Sequence, residues 1–423
     1  MKDSRKNTEI ELMAPAGSWE SIRAAIQGGA NSVYFGIEKL NMRARSSNNF
    51  TIKDLPEIVA ICKESNIKAY LTVNTIIYDD ELDSLKEILK AAKQSDISAI
   101  IASDQAVINL AKKIGLEIHI STQLNVSNFE TLKFYSKYSD VIVLARELSL
   151  KQISGIEKKI LEENITGPSG NLVKIELFAH GALCMAVSGK CYLSLHENNY
   201  AANKGACLQT CRKAYHVIEK DSGNTLEIDN EFIMSPKDLC TIGFLNKVLD
   251  AGVKVLKIEG RARSPEYVKL VSSCYREAID SYLNNTYSDD KIKIWKEKLN
   301  TVFNRGFWGG YYLNKPLGEW SNKYGSQATK RKIYIAKGMN YFSKIKVAEF
   351  LLETKELNVG DEIIITGPTT GVINNIIEEI RVDDKSVKRA VKGDRFSIPM
   401  DTIIRRSDKL YKIVDVSEIK ETQ

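Results

Sequence analysis

The sequence predicts an α/β protein in which a TIM-like (β/α)8 barrel with a cysteine-rich insertion is followed by a small C-terminal β-barrel domain. Eight short apolar runs rich in β-branched residues recur along the first 259 residues, and amphipathic helical patterns separate them. This alternation is typical of a parallel sheet covered by helices. From about residue 330 the pattern changes to short alternating strands with turn signals, which predicts a second, β-rich domain.

The eight predicted strands set the architecture of the first domain. They cover residues 10–16, 32–36, 68–74, 99–103, 117–122, 140–145, 174–179 and 254–259. Helical patterns lie between them at 55–65, 80–94, 105–114 and 129–137. Eight is the strand number of a closed barrel, whose active-site residues lie at the C-terminal ends of the strands. An open doubly wound sheet is the alternative that the pattern leaves open.

The domain boundaries follow from the same pattern. Residues 1–325 are predicted to form the barrel domain, with an insertion at 181–252 between its seventh and eighth strands. Two further helical patterns, 265–284 and 289–304, follow the eighth strand. Residues 330–423 are predicted to form the β-rich domain. Long ordered insertions are usually functional, so we expect the insertion to contribute to the active site.

Composition limits the class of protein. The chain has 423 residues, 43% hydrophobic and 27% charged, with a net charge of +6, which is the balance of a globular protein. We find no membrane-length apolar run and no export pattern at 1–9, so we expect a cytoplasmic protein without a membrane partner. Reduced thiols are the rule in that compartment. The seven cysteines therefore indicate metal binding or catalysis rather than structural disulfides.

Five of these cysteines fall within the insertion, at Cys184, Cys191, Cys207, Cys211 and Cys240. Thiolates select zinc, copper(I) or iron–sulfur clusters. The first two lie seven positions apart, wider than the two to four residues of a zinc knuckle, which favours an iron–sulfur cluster. A zinc site and a set of buried free thiols are the alternatives. Cys62 and Cys274 stand at apolar positions of helical patterns and are predicted to be core residues.

Four segments carry a resemblance to a known family. Residues 176–191 read ELFAHGALCMAVSGKC, and the shorter segments are ELMAPAG at 11–17, NMRA at 41–44 and KIEGR at 257–261. Together they resemble the signature of the collagenase-like peptidase family U32, over nearly the whole chain. Val187 departs from the pattern, because the family has an aromatic residue there.

The resemblance implies a function other than the family's historical label. Studied members are oxygen-independent hydroxylases that carry a [4Fe–4S] cluster and act on tRNA, ribosomal RNA or ubiquinone precursors. By length and tail domain, this chain is most similar to members that form 5-hydroxyuridine at the wobble position of tRNA with prephenate as hydroxyl donor. The implied partners are tRNA and prephenate or a similar dicarboxylate, and a related family member as second subunit is left open. The implied cluster ligands are Cys184, Cys191, Cys207 and Cys240, with an exchange between Cys207 and Cys211 left open.

Polar residues at the predicted strand ends define a candidate pocket. The candidate catalytic residues are Glu176, His180 and Glu259. The candidate substrate-binding residues are Arg43, Arg45, Asn74, Gln123, Asn125, Arg146, Lys257 and Arg261. Arginine suits a dicarboxylate because its guanidinium pairs with carboxylates in a bidentate manner. A structural Glu259–Arg261 ion pair and a satisfied buried His180 are the alternatives.

Two other functions are alternatives to the RNA hydroxylase. A peptidase would need an organised nucleophile or metal-bound water, but the sequence contains neither Gly-x-Ser-x-Gly nor His-Glu-x-x-His. A non-catalytic iron–sulfur protein that binds RNA is the third hypothesis. RNA binding itself is predicted from a region between residues 320 and 348 that has seven cations and no acid, interleaved with aromatic residues. The candidate RNA-binding residues are Lys330, Arg331, Lys332, Lys344 and Lys346, and a merely solvated surface is the alternative.

Overall fold

The first seven strands pair with one another in chain order and in parallel. The computed structural model describes residues 10–45, 49–216, 232–314 and 318–417. The strands are β1 (Glu11–Pro15), β2 (Ser32–Phe35), β3 (Lys68–Val73), β4 (Ala99–Ala102), β5 (Ile118–Ile120), β6 (Val141–Val143) and β7 (Lys174–Gly181). A short strand β8 (Asp238–Cys240) runs antiparallel to the end of β7. Strand β9 (Val255–Ile258) then pairs in parallel with both β7 and β1. These pairings close an eight-stranded parallel barrel, which confirms the predicted fold class.

Helices cover the outside of the barrel. They are α1 (Trp19–Gln27), α2 (Leu55–Glu64), α3 (Leu82–Gln94), α4 (Gln105–Lys113), α5 (Phe129–Tyr135), α6 (Leu150–Glu162), α7 (Leu193–Asn198), α8 (Leu245–Asp250), α9 (Pro265–Leu283) and α10 (Asp289–Asn300). Polar N-caps start several of them: the side chains of Ser18, Asp104 and Asn128 accept hydrogen bonds from backbone N–H groups of the first turn. Within the described ranges, every helix is too short or too polar to span a bilayer.

Successive side chains of the barrel strands point alternately into the barrel and out toward the helices, which gives an inner and an outer core. Met13, Tyr34, Tyr70 and Ile101 belong to a small cluster inside the barrel, whereas Leu12, Val33 and Leu71 pack outward against the helices. Cys62 on α2 and Cys274 on α9 are buried in the outer core, as predicted. The barrel is therefore filled by side chains, and space for a ligand lies only toward its ends.

The tail forms an antiparallel sheet with a core of its own. After β10 (Phe307–Trp308), which pairs in parallel with β8, come β11 (Lys330–Phe342), β12 (Val347–Leu352), β13 (Glu356–Asn358), β14 (Glu362–Gly367), β15 (Gly371–Ile376), β16 (Ile380–Val382), β17 (Lys385–Val387), β18 (Arg389–Val391), β19 (Arg395–Pro399) and β20 (Lys409–Asp415). Eight of these strands pair in the order β15-β14-β20-β11-β12-β19-β16-β17, and β13 pairs with β18.

Strand β15, at one edge of this sheet, docks on helices α1 and α9 of the barrel. The Gln27 amide donates to the carbonyl oxygen of Thr370 at 3.0 Å and accepts from the N–H of Val372 at 2.9 Å. Lys269 donates to the carbonyl oxygen of Val372 at 2.8 Å. These contacts occupy backbone groups that an exposed edge strand would leave open, and they attach the tail to the outside of the barrel.

Replacing Gln27 by alanine tests this attachment. We expect the free energy of unfolding to fall by about 1–2 kcal/mol, because two hydrogen bonds to backbone groups are lost. Gln94→Ala is the matched control, since Gln94 is likewise the last residue of a barrel helix and is exposed. Urea titration of both variants measures the difference. Equal stability of Gln27→Ala and Gln94→Ala would contradict the role given to Gln27.

Candidate active site

A cavity of about 160 Å³ opens at the C-terminal ends of the barrel strands. Tyr34, Thr72, Phe178 and Lys257 line it from β2, β3, β7 and β9. Residues of the insertion, from Ala182 to Leu193 and from Cys207 to Arg212, line it from the other side. The barrel mouth and the cysteine-rich insertion therefore share one cavity, at the end of the barrel where active sites of this fold lie.

An ion pair between Arg43 and Glu259 lies in the wall of the cavity. The Arg43 guanidinium donates to Glu259 Oε1 at 3.0 Å, and the Tyr34 hydroxyl donates to Glu259 Oε2 at 3.0 Å. Burial works against ionisation of Glu259, but the guanidinium groups of Arg43 and Arg261 hold the pKa of this carboxyl below its ordinary value. Glu259 is therefore a carboxylate that fixes Arg43.

A second buried pair lies deeper in the barrel. Lys257 donates to Glu176 Oε1 at 2.7 Å, and its ammonium lies 4.6 Å from the centre of the Tyr34 ring. Glu176 is fully buried, does not line the cavity, and its Oε2 has no hydrogen-bond partner. The structure places Glu176 behind the cavity wall, where its carboxylate holds Lys257, and the catalytic role predicted for Glu176 stays a prediction.

Three cavity arginines have only neutral hydrogen-bond partners among the described residues: Arg146, Arg261, and Arg212, whose guanidinium donates to the Ser235 hydroxyl and to the Leu183 and Pro236 carbonyl oxygens. Arg146 donates to the Ser188 hydroxyl at 2.9 Å, and Arg261 donates to Asn41 Oδ1 at 3.0 Å and to Thr72 Oγ1 at 2.9 Å. Burial lowers the pKa of Arg261 to about 10, which leaves it protonated at neutral pH. Since Arg43 and Lys257 are each matched by a carboxylate, Arg146, Arg212 and Arg261 give the cavity an excess of three positive charges.

Amide side chains form a polar patch on the same wall. Asn74 Nδ2 donates to Gln123 Oε1 at 3.3 Å, and Asn74 Oδ1 accepts from the Met42 N–H at 3.1 Å. Both side chains line the cavity. Because amides offer donors and acceptors in one plane, this patch can recognise the edge of a planar ring.

The structure brings most of the predicted substrate-binding residues together. Those that line the cavity are Arg43, Asn74, Gln123, Arg146, Lys257 and Arg261, together with Glu259. Arg45 and Asn125 do not line it, which corrects their predicted role: the Arg45 guanidinium stacks 4.7 Å from the Tyr200 ring, and Asn125 has a left-handed backbone that ends a short 3-10 helix. The sequence does not predict site roles for Thr72, Ser188 and Arg212. Each of them contacts a residue that is distant in sequence: Thr72 accepts from Arg261, Ser188 accepts from Arg146, and Arg212 donates to the Leu183 carbonyl oxygen.

His180 faces away from the cavity. It is 1% exposed, its Nδ1 lies 3.4 Å from the Tyr275 hydroxyl, and its ring packs against Tyr267 and Phe307. The β7–β9 ladder is irregular between Phe178 and His180, so that Phe178 points into the cavity and His180 points toward α9. Burial lowers the pKa of His180 to about 3. The predicted catalytic role of His180 is thus replaced by the alternative of a satisfied, neutral core histidine.

Four thiols line the cavity, but they are not the predicted four. Cys184, Cys191, Cys207 and Cys211 all line it. Cys240 does not: it is buried in the barrel's outer core, and its thiol lies against the Tyr275 hydroxyl on α9. Burial raises the pKa of Cys240 to about 11. The pairing of β8 with β7 turns this side chain outward, so Cys211 rather than Cys240 joins the other three thiols.

The four thiols surround the cavity without meeting at one point. Among the described residues, no three His, Cys, Asp or Glu side chains stand close enough to coordinate a single metal ion. Burial raises the pKa of Cys211 to about 11, Arg212 opposes this rise, and the neighbouring Cys184, Cys207 and Cys191 add to it. Burial and the adjacent Cys184 and Cys207 likewise raise the pKa of Cys191. The donor set is thus a group of soft ligands close enough to disfavour one another's ionised form, and a cationic metal group would favour their thiolates.

Specific contacts hold the insertion over the barrel. Arg212 donates to the carbonyl oxygens of Leu183 at 2.7 Å and Pro236 at 2.6 Å, which ties together the two thiol-bearing segments. A side chain at Gly205 would come within 2.2 Å of the Asn41 carbonyl oxygen, so only glycine permits this close approach to the loop after β2. The Ile76 N–H donates to the Asn203 carbonyl oxygen at 3.2 Å on the other side.

The predicted RNA-binding residues separate into two places. Lys330, Arg331 and Lys332 line a cleft of about 720 Å³ between α9, α10 and the tail sheet, where Lys330 pairs with Glu362 and Lys332 pairs with Glu266 at 2.9 Å. Lys344 and Lys346 lie at the β11–β12 turn, and Lys346 pairs with Asp401 at 3.0 Å. Carboxylates from distant positions therefore match three of these cations, which weakens the prediction of a continuous basic face.

Comparison with known proteins identifies related chains. The model of Peptidase family U32 matches residues 17–322. A protein named collagenase from Porphyromonas gingivalis is 59% identical over 404 residues, which is 96% of this chain and 98% of that protein. A tRNA hydroxylation protein of Bacillus subtilis is 32% identical over 382 residues, 88% of this chain and 87% of its own length. A 23S rRNA 5-hydroxycytidine synthase of Escherichia coli is 35% identical over 275 residues, 65% of this chain and 40% of that longer protein.

The Lys257–Glu176 pair provides a test of the cavity wall. Glu176→Gln leaves a buried ammonium without a carboxylate, and we expect the free energy of unfolding to fall by about 3–5 kcal/mol. The double variant Glu176→Gln with Lys257→Met removes both charges and should recover most of that loss. Urea unfolding of both variants measures the effect. A single variant as stable as the wild type would show that the pair is not buried as described.

Proposed function

This chain belongs to Peptidase family U32, and from that premise we propose that it is an oxygen-independent tRNA hydroxylase that forms 5-hydroxyuridine at the wobble position. The observation that carries the proposal is that four thiols and three arginines without carboxylate partners line one cavity at the barrel mouth. The thiols suit an iron–sulfur cluster, and the arginines suit an anionic co-substrate. Relatives that are named for RNA hydroxylation support RNA as the substrate.

The excess charge of the cavity supports a dicarboxylate as hydroxyl donor, and prephenate is the donor that we propose. Arg146 and Arg261 supply two positive charges whose described hydrogen-bond partners are neutral, and Arg212 adds a third, so a dianion is attracted to the cavity. Arg43 already pairs with Glu259, so it shapes the wall. Hydroxylation exchanges the hydrogen on C5 of the base for a hydroxyl group, and the reaction balances when the donor carbon takes that hydrogen in return.

The residues that would hold the cluster are Cys184, Cys191, Cys207 and Cys211. Their donor chemistry fits a [4Fe–4S] cluster, and their spread around the cavity fits a group larger than one zinc ion, whose sulfur ligands lie about 2.3 Å from the metal. A bound cluster would supply one-electron chemistry beside the donor and the base. The amides of Asn74 and Gln123 would read the edge of a pyrimidine that has left its stack, as base-modifying enzymes require.

A peptidase is the second candidate, because the P. gingivalis relative that is 59% identical is named collagenase. Such an activity needs a nucleophile activated by a base within hydrogen-bond reach, or a metal-bound water. Across the described ranges, no hydrogen bond joins a histidine to a serine, threonine or cysteine side chain, and His180 faces the core. The geometry therefore favours the hydroxylase over the peptidase.

Iron content after anaerobic purification tests the ligand set. We expect about four irons per wild-type chain, and loss of the cluster absorption in the alanine variants of Cys184, Cys191, Cys207 and Cys211. Cys240→Ala and the core control Cys62→Ala should retain the iron, because neither thiol lines the cavity. Loss of iron in Cys240→Ala but not in Cys211→Ala would instead support Cys240 as the fourth ligand, as the family resemblance implies. One tightly held zinc per chain would refute the cluster.

Mass analysis of tRNA nucleosides from cells that lack this gene tests the reaction. We expect 5-hydroxyuridine to disappear and to return with the wild-type gene. Arg146→Ala should restore the nucleoside at least about tenfold less well, because a charge-assisted contact to the donor is lost. Arg381→Ala is the control, since Arg381 lies on the tail sheet and pairs with Glu379. Unchanged tRNA together with lost collagen degradation would favour the peptidase.

A further inference from the structure

Exposed apolar side chains stand next to the cavity-lining residues of the insertion. Each of three thiols is followed in sequence by such a residue: Met185 after Cys184, Tyr192 after Cys191 and Leu208 after Cys207. Their exposed fractions are 44%, 75% and 44%, and Val187 between them is 39% exposed. We call Met185, Val187, Tyr192 and Leu208 the collar. Exposed apolar groups clustered at the rim of a cavity are typical of a surface that a partner covers.

The collar lies directly at the cavity. Met185 itself lines it, and Tyr192 stands between Cys191 and Leu193, which both line it. Leu208 likewise stands between two cavity-lining residues, Cys207 and Gln209. Because neighbouring residues lie about 3.8 Å apart along the chain, the collar backbone lies beside the cavity wall.

The charge around the collar complements a polyanion. Between residues 181 and 216 there are four cations, of which Lys204 pairs with Glu81 and Lys213 pairs with Glu197, so Lys190 and Arg212 are the two without an ion pair among the described residues. Lys190 is exposed, and the exposed Arg45 lies over the Tyr200 ring. Apolar and aromatic surfaces interleaved with cations are the combination that binds single-stranded nucleic acid, because bases stack on the rings while phosphates meet the cations.

The reaction itself creates a need for such a surface. A base that enters the cavity must leave its stack, and the bases on either side of it lose a neighbour. We propose that the collar, with Tyr192 as its most exposed member, is the surface on which the RNA bases next to the modified nucleotide stack. This inference rests on the proposed function and adds the position of the RNA: the barrel mouth rather than the tail domain.

Binding of a fluorescein-labelled single-stranded uridine-rich RNA with one 2-aminopurine tests the collar. Tyr192→Ala should raise the Kd by about 5- to 100-fold and abolish quenching of the 2-aminopurine, because stacking on the ring is lost. Tyr192→Phe keeps the ring and should bind and quench like the wild type. Phe134→Ala is the matched control, because Phe134 is an exposed aromatic residue on α5, on the outside of the barrel.

The outcomes separate this inference from the proposed function. Wild-type affinity and quenching in Tyr192→Ala overturn the collar, while nucleoside analysis still supports the hydroxylase. A wild-type chain that neither binds RNA nor modifies it overturns both. A dimer that Tyr192→Ala converts to a monomer with unchanged RNA affinity shows that a second copy covers the collar, and this also overturns the inference.

Discussion

The hydrogen bonding of β7 is the constraint on which the site depends. The body of this strand pairs with β6 and β9 and closes the barrel, and its last residues, His180 and Gly181, also pair with the antiparallel β8. Gly181 has a φ of +106°, and a side chain there would meet the Glu259 carbonyl oxygen at 2.2 Å. The strand can therefore pass close to β9 and lead the chain over the barrel mouth, where Cys184 follows three residues later.

This arrangement accounts for the chemistry that we assign to the site. Barrel strands place Arg261, Lys257 and the amide patch at one wall of the cavity, and the insertion places four thiols at the other. Neither wall alone defines a reaction. The thiol wall by itself could hold a redox group but would not bind the substrate. The arginine wall by itself could bind an anion but would have no redox group beside it. Their common cavity is what makes a hydroxyl transfer between a donor and a base physically reasonable.

The fold could be predicted because buried strands and helices require apolar residues at regular spacings in the sequence. Each barrel strand is a short apolar run such as Ala99–Ala102, buried on both faces, and each lies within a predicted run except β7, which continues two residues beyond it. The grouping of cysteines was visible because four of them lie within 28 residues of chain. The residue positions that the sequence did not predict depend on tertiary contacts. The pairing of β8 turns Cys240 outward, a ladder irregularity turns His180 toward α9, and Glu266 neutralises Lys332 from a helix 66 residues away.

The central claim is that one cavity transfers a hydroxyl group from a dicarboxylate to an RNA base without oxygen. Anaerobic incubation of iron-loaded protein with unmodified tRNA and prephenate that carries 18O in its ring hydroxyl tests it most directly. The account predicts that 5-hydroxyuridine forms and contains the heavy isotope, and that Arg146→Ala abolishes most of the labelled product. Formation of unlabelled 5-hydroxyuridine would contradict the donor assignment, and the absence of any hydroxylated nucleoside with fully iron-loaded protein would contradict the account as a whole.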